Sequence, residues 1–282
     1  MSDWRAVLEG SPARGASDEG IWGALLGEFE WLYRQMNRAL RERFAPVFVL
    51  FELKTIVLCV RNKAARRSAE IERLLEPSLL SDSLRQALSR PPDVGATVAA
   101  ATQLLAARAG ELASLEAAYA EDGLRGFEDG LMRGYLTHVA AGRMHPVIRA
   151  FFASFIDLRN VMILYKHLRW EIEGAAQFIP GGSLEASRLE QVAARGQLAG
   201  LDEFAQVVTG TTALPAAASE GALESVLLGS MTAQVREAGR WGGEVEVILD
   251  YLWRSYVQAR NLALLKHAGD LGADALRREL IG

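Results

Sequence analysis

Three stretches of this chain read FAPVFVLFELKTI (Phe44–Ile56), FASFIDLRNVMIL (Phe152–Leu164) and WRSYVQARNLALL (Trp253–Leu265). The first falls onto the second when it is shifted by 108 positions, and the second falls onto the third after 101. In that register one column holds three large aromatic residues, namely Phe44, Phe152 and Trp253. A register kept over three copies indicates an internal triplication. The sequence therefore predicts three similar lobes, with approximate bounds 1–78, 79–180 and 181–282.

Apolar residues recur along the chain with the period of a helix. From Ile21 to about Arg43 they stand three and four positions apart, which places them on one helical face. Pro46 predicts a break or kink, since proline cannot continue the hydrogen-bond ladder. Further helices are expected at about 49–67, 96–120, 124–141, 184–194, 202–208, 220–238 and 244–268, and in a long segment that Pro146 opens. The predicted fold is therefore all-α and built from helix hairpins.

Two segments, 121–123 and 179–183, are predicted to interrupt this helical pattern as turns. Glu121, Asp122 and Gly123 predict an interruption before the helix at 124–141. The segment 179–183 reads Ile-Pro-Gly-Gly-Ser, in which proline fixes one dihedral angle and the glycines allow positive φ. Ser183 is expected to cap the helix that follows. A last turn is predicted at 273–280.

Composition excludes several classes of protein. The 282 residues are 50% hydrophobic and 23% charged, which is typical of a globular protein. The formal net charge of −4 argues against a nucleic-acid-binding protein. Cys59 is the one cysteine and lies in an apolar run, so we expect a buried thiol in an intracellular protein. The most apolar stretch, 45–60, is interrupted by Glu52 and Lys54 and is too short to span a bilayer.

Motifs that would carry chemistry are missing from the sequence. It contains no phosphate-binding loop of the G-x-x-x-x-G-K-[ST] type and no G-x-S-x-G elbow. One cysteine and four scattered histidines give no compact zinc set. We therefore expect no catalytic, cofactor-binding or metal-binding residue. A helical enzyme that assembles its pocket from distant residues stays open as an alternative, and it would need a cavity lined by convergent acidic or histidine groups.

Polar residues in the repeat register are the main candidates for a structural or interface site. Asparagine is a poor helix-interior residue, so two copies in register imply a side chain with a specific hydrogen-bonding role. The candidate pairs are Arg159 with Asn160 and Arg260 with Asn261. They either fix helix against helix or contact a partner protein. The first copy carries Glu52 in the asparagine column, so its contact is expected to differ, and Lys54 is its candidate counterpart.

Basic residues follow each copy of the repeat. Two of them, Arg61 and Arg169, stand in register. They are either favourable charges near helix C-termini or a cationic rim that meets an acidic partner surface or lipid headgroups.

Several of these residues also carry a resemblance to a known family. The run 155–160 (FIDLRN), the downstream segment 179–184 (IPGGSL), the C-terminal residues 258–262 (QARNL) and the segment 51–54 (FELK) occur in an order and spacing that resembles the C subunit of bacterial and archaeal V/A-type rotary ATPases. The d subunit of the eukaryotic vacuolar enzyme belongs to the same family. The resemblance covers most of the chain from about Ile21 onward. The sequence departs from the family at Gln258, where glutamate is frequent, and at Glu52, where asparagine is frequent.

The resemblance implies a fold and a function. Family members are funnels of three similar helical lobes on the cytoplasmic face of the membrane rotor ring, and their cavity receives the foot of the central shaft. It thus implies a non-catalytic rotor subunit without cofactors, whose partners are the ring and the shaft and which contacts the membrane only through the complex. A free-standing helical scaffold or adaptor is the alternative.

Overall fold

The computed structural model of this chain describes residues 18–172, 174–196, 199–210, 219–267 and 280–281. These residues form eleven α-helices and one 3₁₀ turn, Gly110–Leu112, and no strand occurs among them. The all-α prediction is therefore confirmed. The helices are α1 (Asp18–Gln35), α2 (Arg38–Ala64), α3 (Ser68–Leu75), α4 (Asp82–Ser89), α5 (Val94–Ala106), α6 (Leu115–Ala141), α7 (Pro146–Arg169), α8 (Ala186–Arg195), α9 (Ala199–Thr209), α10 (Glu220–Trp241) and α11 (Glu244–His267).

The chain divides into two compact units, Met1–His138 and Val139–Gly282. We call them unit 1 and unit 2. The first copy of the repeat lies in α2 of unit 1, and the other two copies lie in α7 and α11 of unit 2. The three lobes with bounds 1–78, 79–180 and 181–282 stay a prediction.

Unit 1 is organised around α2, which packs against α1, α3, α4 and α5. Its core is aromatic, because the ring of Phe29 in α1 lies 4.9 Å from that of Phe51 and 6.2 Å from that of Phe48. The buried indole of Trp22 donates a hydrogen bond of 3.0 Å to Thr55 Oγ1 and so joins α1 to α2. Cys59 is fully buried, as the sequence predicts.

Unit 2 is organised around α7, which packs against α8, α9, α10 and α11. The ring of Trp253 in α11 lies 5.4 Å from that of Phe151 and 6.2 Å from that of Phe155. Its indole nitrogen donates a hydrogen bond of 2.9 Å to Thr232 Oγ1 in α10. Phe152 and Trp253, which share a column of the repeat, are thus both buried in the core of unit 2.

Some predicted boundaries are wrong. The break or kink predicted at Pro46 does not end the helix, which runs through this residue. The chain breaks instead at Met36–Asn37, where Asn37 Oδ1 accepts from the Leu40 N–H at 2.9 Å and α2 begins. Proline removes one ladder bond, but its neighbours Val47 and Phe48 are buried, and this packing holds the helix together.

The helix predicted at 96–120 is also interrupted, because α5 ends at Ala106 and α6 begins at Leu115. The interruption before 124–141 is confirmed, since Asp122 and Gly123 have non-helical angles inside α6. Ser183 does not cap α8, which is preceded by Glu185 without a capping side-chain bond. The turn predicted at 273–280 lies outside the described residues except for position 280.

Candidate functional site

Asn160 in the second copy of the repeat binds the backbone of a segment that follows its helix. Its Nδ2 donates to the carbonyl oxygen of Ile179 at 2.9 Å, and its Oδ1 accepts from the N–H of Ile179 at 2.8 Å. Asn160 is 1% exposed and Ile179 is 3% exposed, so both bonds are shielded from water. One amide side chain therefore satisfies both polar groups of one buried residue's backbone.

Asn261 in the third copy makes the same pair of hydrogen bonds. Its Nδ2 donates to the carbonyl oxygen of Ile281 at 2.7 Å, and its Oδ1 accepts from the N–H of Ile281 at 3.2 Å. Asn261 is half-buried, whereas Ile281 is buried. Both asparagines thus bind an isoleucine about twenty residues downstream. The second and third copies of the repeat therefore share a hydrogen-bond arrangement as well as a sequence pattern.

Glu52 occupies the same column in the first copy and also binds a downstream segment. Its Oε1 accepts from the N–H of Leu79 at 2.6 Å, and its Oε2 accepts from the hydroxyl of Ser78 at 2.9 Å. Glu52 is 3% exposed. We call these arrangements the Glu52, Asn160 and Asn261 clamps; in each, a residue of a repeat helix binds a segment that lies further along the chain.

Asp157 reinforces the Asn160 clamp one turn earlier on α7. Its two carboxylate oxygens accept from the N–H groups of Ser183 at 2.9 Å and Leu184 at 3.0 Å. The segment between the two anchors approaches α7 closely, since a Cβ built on Gly182 would lie 2.1 Å from Asp157 Oδ1. Gly181 adopts φ of +95°, a conformation that side chains other than glycine rarely take. The Ile-Pro-Gly-Gly-Ser segment is therefore shaped to fit against α7.

Burial raises the pKa of both carboxyl groups in these arrangements, Glu52 and Asp157. It raises the pKa of Glu52 above its ordinary value, against the opposing effect of hydrogen bonds from Leu79, Thr55 and Ser78 and of the Arg85 charge. Burial likewise raises the pKa of Asp157, against hydrogen bonds from Leu184 and Ser183. In both cases the loss of water around the charged form outweighs the bonds that replace it.

The two arginines beside the asparagines have different surroundings. Arg260 Nη2 lies 2.9 Å from Glu224 Oε2, which connects α11 to α10. Arg159 is half-exposed. Desolvation and the nearby Glu224 raise the pKa of the Tyr256 hydroxyl, while Arg260 and Arg159 oppose that rise. The two arginines and Tyr256 therefore belong to one electrostatic group in unit 2.

The remaining candidates, Lys54, Arg61 and Arg169, do not come together. Lys54 is exposed and its Nζ lies 4.6 Å from the centre of the Trp22 ring, within cation–π distance. Nε and Nη2 of Arg61 donate to the two carboxylate oxygens of Glu128, each at 2.5 Å. Arg169 is exposed at the end of α7, and it has no ion pair within the described part of the chain.

Other basic residues that follow the repeat copies are used inside their own unit. Lys63 Nζ donates to the carbonyl oxygens of Ser89 at 2.7 Å and Pro91 at 3.0 Å. Lys166 pairs with Glu220 at 2.8 Å. Arg61, Lys63 and Lys166 therefore contribute to contacts between segments of their own unit.

Sequence reasoning missed the segments that the clamps bind and the two Trp–Thr bonds of the cores. The Ile179 segment was visible as a turn, but Ser78 and Leu79 carry no such signal. The Trp–Thr bonds could have been sought as threonines on the apolar faces of α2 and α10, since a buried indole N–H needs an acceptor.

A cleft in unit 1 bears on the enzymatic alternative. It lies between α3 and α4 and is lined in part by Glu72, Glu76, Asp82 and Arg85. The three carboxyl groups are exposed to solvent, and Asp82 is paired with Arg85 at 2.6 Å. It thus offers no buried acid and base pair of the kind that general acid–base chemistry uses. Within the described ranges, no helix is both long enough and apolar enough to cross a bilayer.

Comparison with known proteins identifies the family. The model of the ATP synthase (C/AC39) subunit family matches residues 2–268, which is nearly the whole chain. A comparison with curated proteins finds no match. The resemblance that the repeat residues carry is confirmed by this match, and the matched range includes all three copies of the repeat together with the Glu52 and Asn160 clamps. The chain therefore belongs to the ATP synthase (C/AC39) subunit family of rotary ATPases.

Proposed function

We propose that this chain is a non-catalytic central-stalk subunit that couples the central shaft of a V/A-type ATPase or ATP synthase to its membrane rotor ring. The observation that carries the proposal is the family match over residues 2–268. The three clamps support it, because in each copy of the repeat a helix residue binds a segment that lies further along the chain, as expected of three similar lobes. The lobes would be residues 1–78, 79–180 and 181–282.

A coupling subunit needs stiffness more than chemistry. Torque passes through a protein without loss only if its helices do not slide or separate under load. The clamps act against such motion. The two amide clamps each bind backbone by two hydrogen bonds, and the Glu52 clamp binds one backbone N–H and one serine hydroxyl. Broken bonds in a buried site leave unsatisfied polar groups. The proposed role places the chain at the cytoplasmic face of the membrane, with the rotor ring and the shaft as its partners.

A pull-down tests the assignment of partners. The chain, tagged before Met1, is expressed in its native host and recovered from membranes in mild detergent, and the co-purifying proteins are identified by mass spectrometry. We expect the rotor ring, the shaft subunits and the ATPase head in constant ratio. The untagged host is the control. A protein recovered without any of them would contradict the proposal and favour a free-standing scaffold.

A second experiment tests coupling itself. Membrane vesicles from a strain that lacks the chain are assayed for ATP hydrolysis and for ATP-driven ion uptake. We expect ion uptake to be lost and to return when the purified chain is added back. Ion uptake that is unchanged in the deletion strain would rule out a coupling role.

A further inference from the structure

The three clamps differ in one chemical respect. The Asn160 and Asn261 clamps use a neutral amide, whereas the Glu52 clamp uses a carboxyl group at the equivalent position. A carboxylate can only accept hydrogen bonds, and both oxygens of Glu52 are used in this way by the connection between α3 and α4. A protonated carboxyl group still accepts one bond and adds a donor. Protonation therefore changes the Glu52 clamp and leaves the two amide clamps as they are.

We propose that Glu52 makes the connection between α3 and α4 a proton-dependent clamp, the one clamp of the three described here whose strength changes with pH. The geometry points to this because Glu52 is 3% exposed and holds Leu79 and Ser78 directly. Thr55 adds a further hydrogen bond to the same carboxyl group, and Thr55 itself accepts from Trp22. The titrating group thus joins α1, α2 and the connection in one hydrogen-bonded cluster.

Among the titratable groups around this cluster, Glu52 is the main one whose charge changes with pH. Arg85 of α4 is the residue of another helix whose charge acts on Glu52. The helix α5 has no charged residue, and the charged residues of α1 and α3 occupy exposed or half-exposed positions. On α2 itself, burial and the Glu52 charge raise the pKa of Cys59 to about 12, so that thiol stays neutral. Lys63, which also acts on Cys59, is held by the Ser89 and Pro91 carbonyl oxygens.

The direction of the effect follows from linkage. Burial raises the pKa of Glu52 in the closed clamp above the value of 4.5 that it takes in water. The closed clamp therefore binds a proton more readily than an open, solvated one. As pH falls through the raised pKa, the closed clamp gains stability relative to the open one, and the gain is complete below the solvated value. The clamp is thus weakest when Glu52 is ionised.

Hydrogen exchange of single backbone amides tests this directly in the full chain. Exchange at Leu79, Ile179 and Ile281 is followed by NMR over a pH series and corrected for the intrinsic rate of each amide. As pH falls toward the solvated value of 4.5 we expect opening at Leu79 to fall, by at most about tenfold per pH unit since one proton is bound. Opening at Ile281, held by the amide of Asn261, serves as the internal control, and it should change less with pH than opening at Leu79. Ser183 and Leu184 bind the titratable Asp157, so they are not used as controls.

The Glu52→Gln variant completes the experiment. Glutamine keeps one acceptor for Leu79 and cannot ionise, so we expect the pH response at Leu79 to disappear while Ile281 behaves as before. A response at Leu79 equal to that at Ile281 in the wild-type chain would overturn the proposal. A pH response at Leu79 that persists in Glu52→Gln would show that another group causes it and would also overturn the proposal. If the variant fails to fold, the comparison of Leu79 with Ile281 in the wild-type chain still decides.

Discussion

At the scale of single residues, the amide clamps work because an asparagine side chain carries the same pair of groups as a peptide bond. It offers one carbonyl acceptor and an N–H donor side by side, so it can pair with the N–H and C=O of one residue. Asn160 and Asn261 do this with Ile179 and Ile281. Aliphatic residues of similar size fill the space but leave both backbone groups without partners.

Removing an amide clamp should therefore lower stability. For Asn160→Leu we expect a loss of about 2–4 kcal/mol, because two buried backbone groups lose their partners. Asn261→Leu should cost less, since Asn261 is half-exposed and water can reach its site. The double variant should melt below either single one. Urea unfolding followed by circular dichroism measures the loss, and Gln258→Leu at an exposed position of α11 is the control. An unchanged unfolding midpoint in the double variant would disprove a stabilising role.

The close approach of Gly182 to Asp157 gives a second prediction. In Gly182→Ala the added methyl group would meet the carboxylate and push the Ser183 segment from α7, and we expect a loss of about 1–3 kcal/mol. Gly229→Ala is the matched control, because it lies inside α10 with open space around its Cβ position. Alanine is the better helix former, so this control should gain up to about 1 kcal/mol. Equal effects of the two substitutions in thermal unfolding would contradict the packing argument.

The sequence singles out the two asparagines of the amide clamps but not the groups that they bind. Two asparagines in register inside helices are unusual enough to predict a hydrogen-bonding role. Their partner is the backbone of one isoleucine, and every residue except proline offers the same backbone groups. No side-chain pattern therefore distinguishes Ile179 or Ile281 from other positions. Glu52 was recognised as a departure, but its partners Ser78 and Leu79 could be found only from the structure.

At the scale of helices, two pairs are joined by the same kind of bond. An indole N–H meets a threonine hydroxyl between α1 and α2, at Trp22 and Thr55, and again between α10 and α11, at Trp253 and Thr232. All four residues are buried. These bonds fix the axial register of each helix against its neighbour. Apolar contacts alone specify this register less strictly.

Thr232→Val should loosen the pairing of α10 with α11. Valine fills the same volume but leaves the Trp253 N–H without its acceptor, so we expect a loss of about 1–3 kcal/mol. Thr102→Val in α5 is the control, because the buried Thr102 hydroxyl has no hydrogen-bond partner among the residues that the structure describes. That substitution should be neutral or stabilising. Chemical unfolding of both variants measures the difference, and an equal loss in the two would count against the indole bond.

Helix boundaries show where sequence patterns were insufficient at this scale. Pro46 predicts a break because proline lacks an N–H, yet burial of Phe44, Val47 and Phe48 keeps α2 continuous. The real break follows from Asn37, whose side chain caps the first turn of α2. In contrast, Gly123 adopts a φ of +58°, and this non-helical conformation interrupts α6 as the sequence predicts. Capping and glycine residues thus set the helix boundaries at Asn37 and Gly123, whereas core packing overrode the local preference of Pro46.

At the scale of the whole molecule, buried carboxyl groups make the stability of the fold depend on pH. Burial raises the pKa of both Glu52 and Asp157 in the folded chain. A raised folded-state pKa means that the folded chain binds protons more readily than the unfolded one. These two groups therefore contribute stability that is complete below their unfolded values of 4.5 and 3.8 and is lost as pH rises through their folded values.

Glu52→Gln should accordingly unfold at a higher urea concentration than the wild-type chain at neutral pH. The difference should shrink as pH falls, because wild-type Glu52 becomes neutral as well, and each unit of raised pKa corresponds to about 1.4 kcal/mol. Urea midpoints measured over a pH series check this. Glu72→Gln, at an exposed position of α3, is the control and should show a constant difference from wild type. A Glu52→Gln difference that also stays constant would refute the linkage.

The placement of the tryptophans has a practical consequence for watching this protein unfold. Of the five tryptophans that the structure describes, Trp22 in unit 1 and Trp253 in unit 2 are buried, whereas Trp31, Trp170 and Trp241 are exposed. Indole fluorescence moves to longer wavelength when a buried ring enters water, and exposed rings contribute little to that change. With phenylalanine in place of Trp22, the shift from the described tryptophans reports mainly on unit 2, and with phenylalanine in place of Trp253 it reports mainly on unit 1. The chain thus carries a separate intrinsic optical probe for each of its two units.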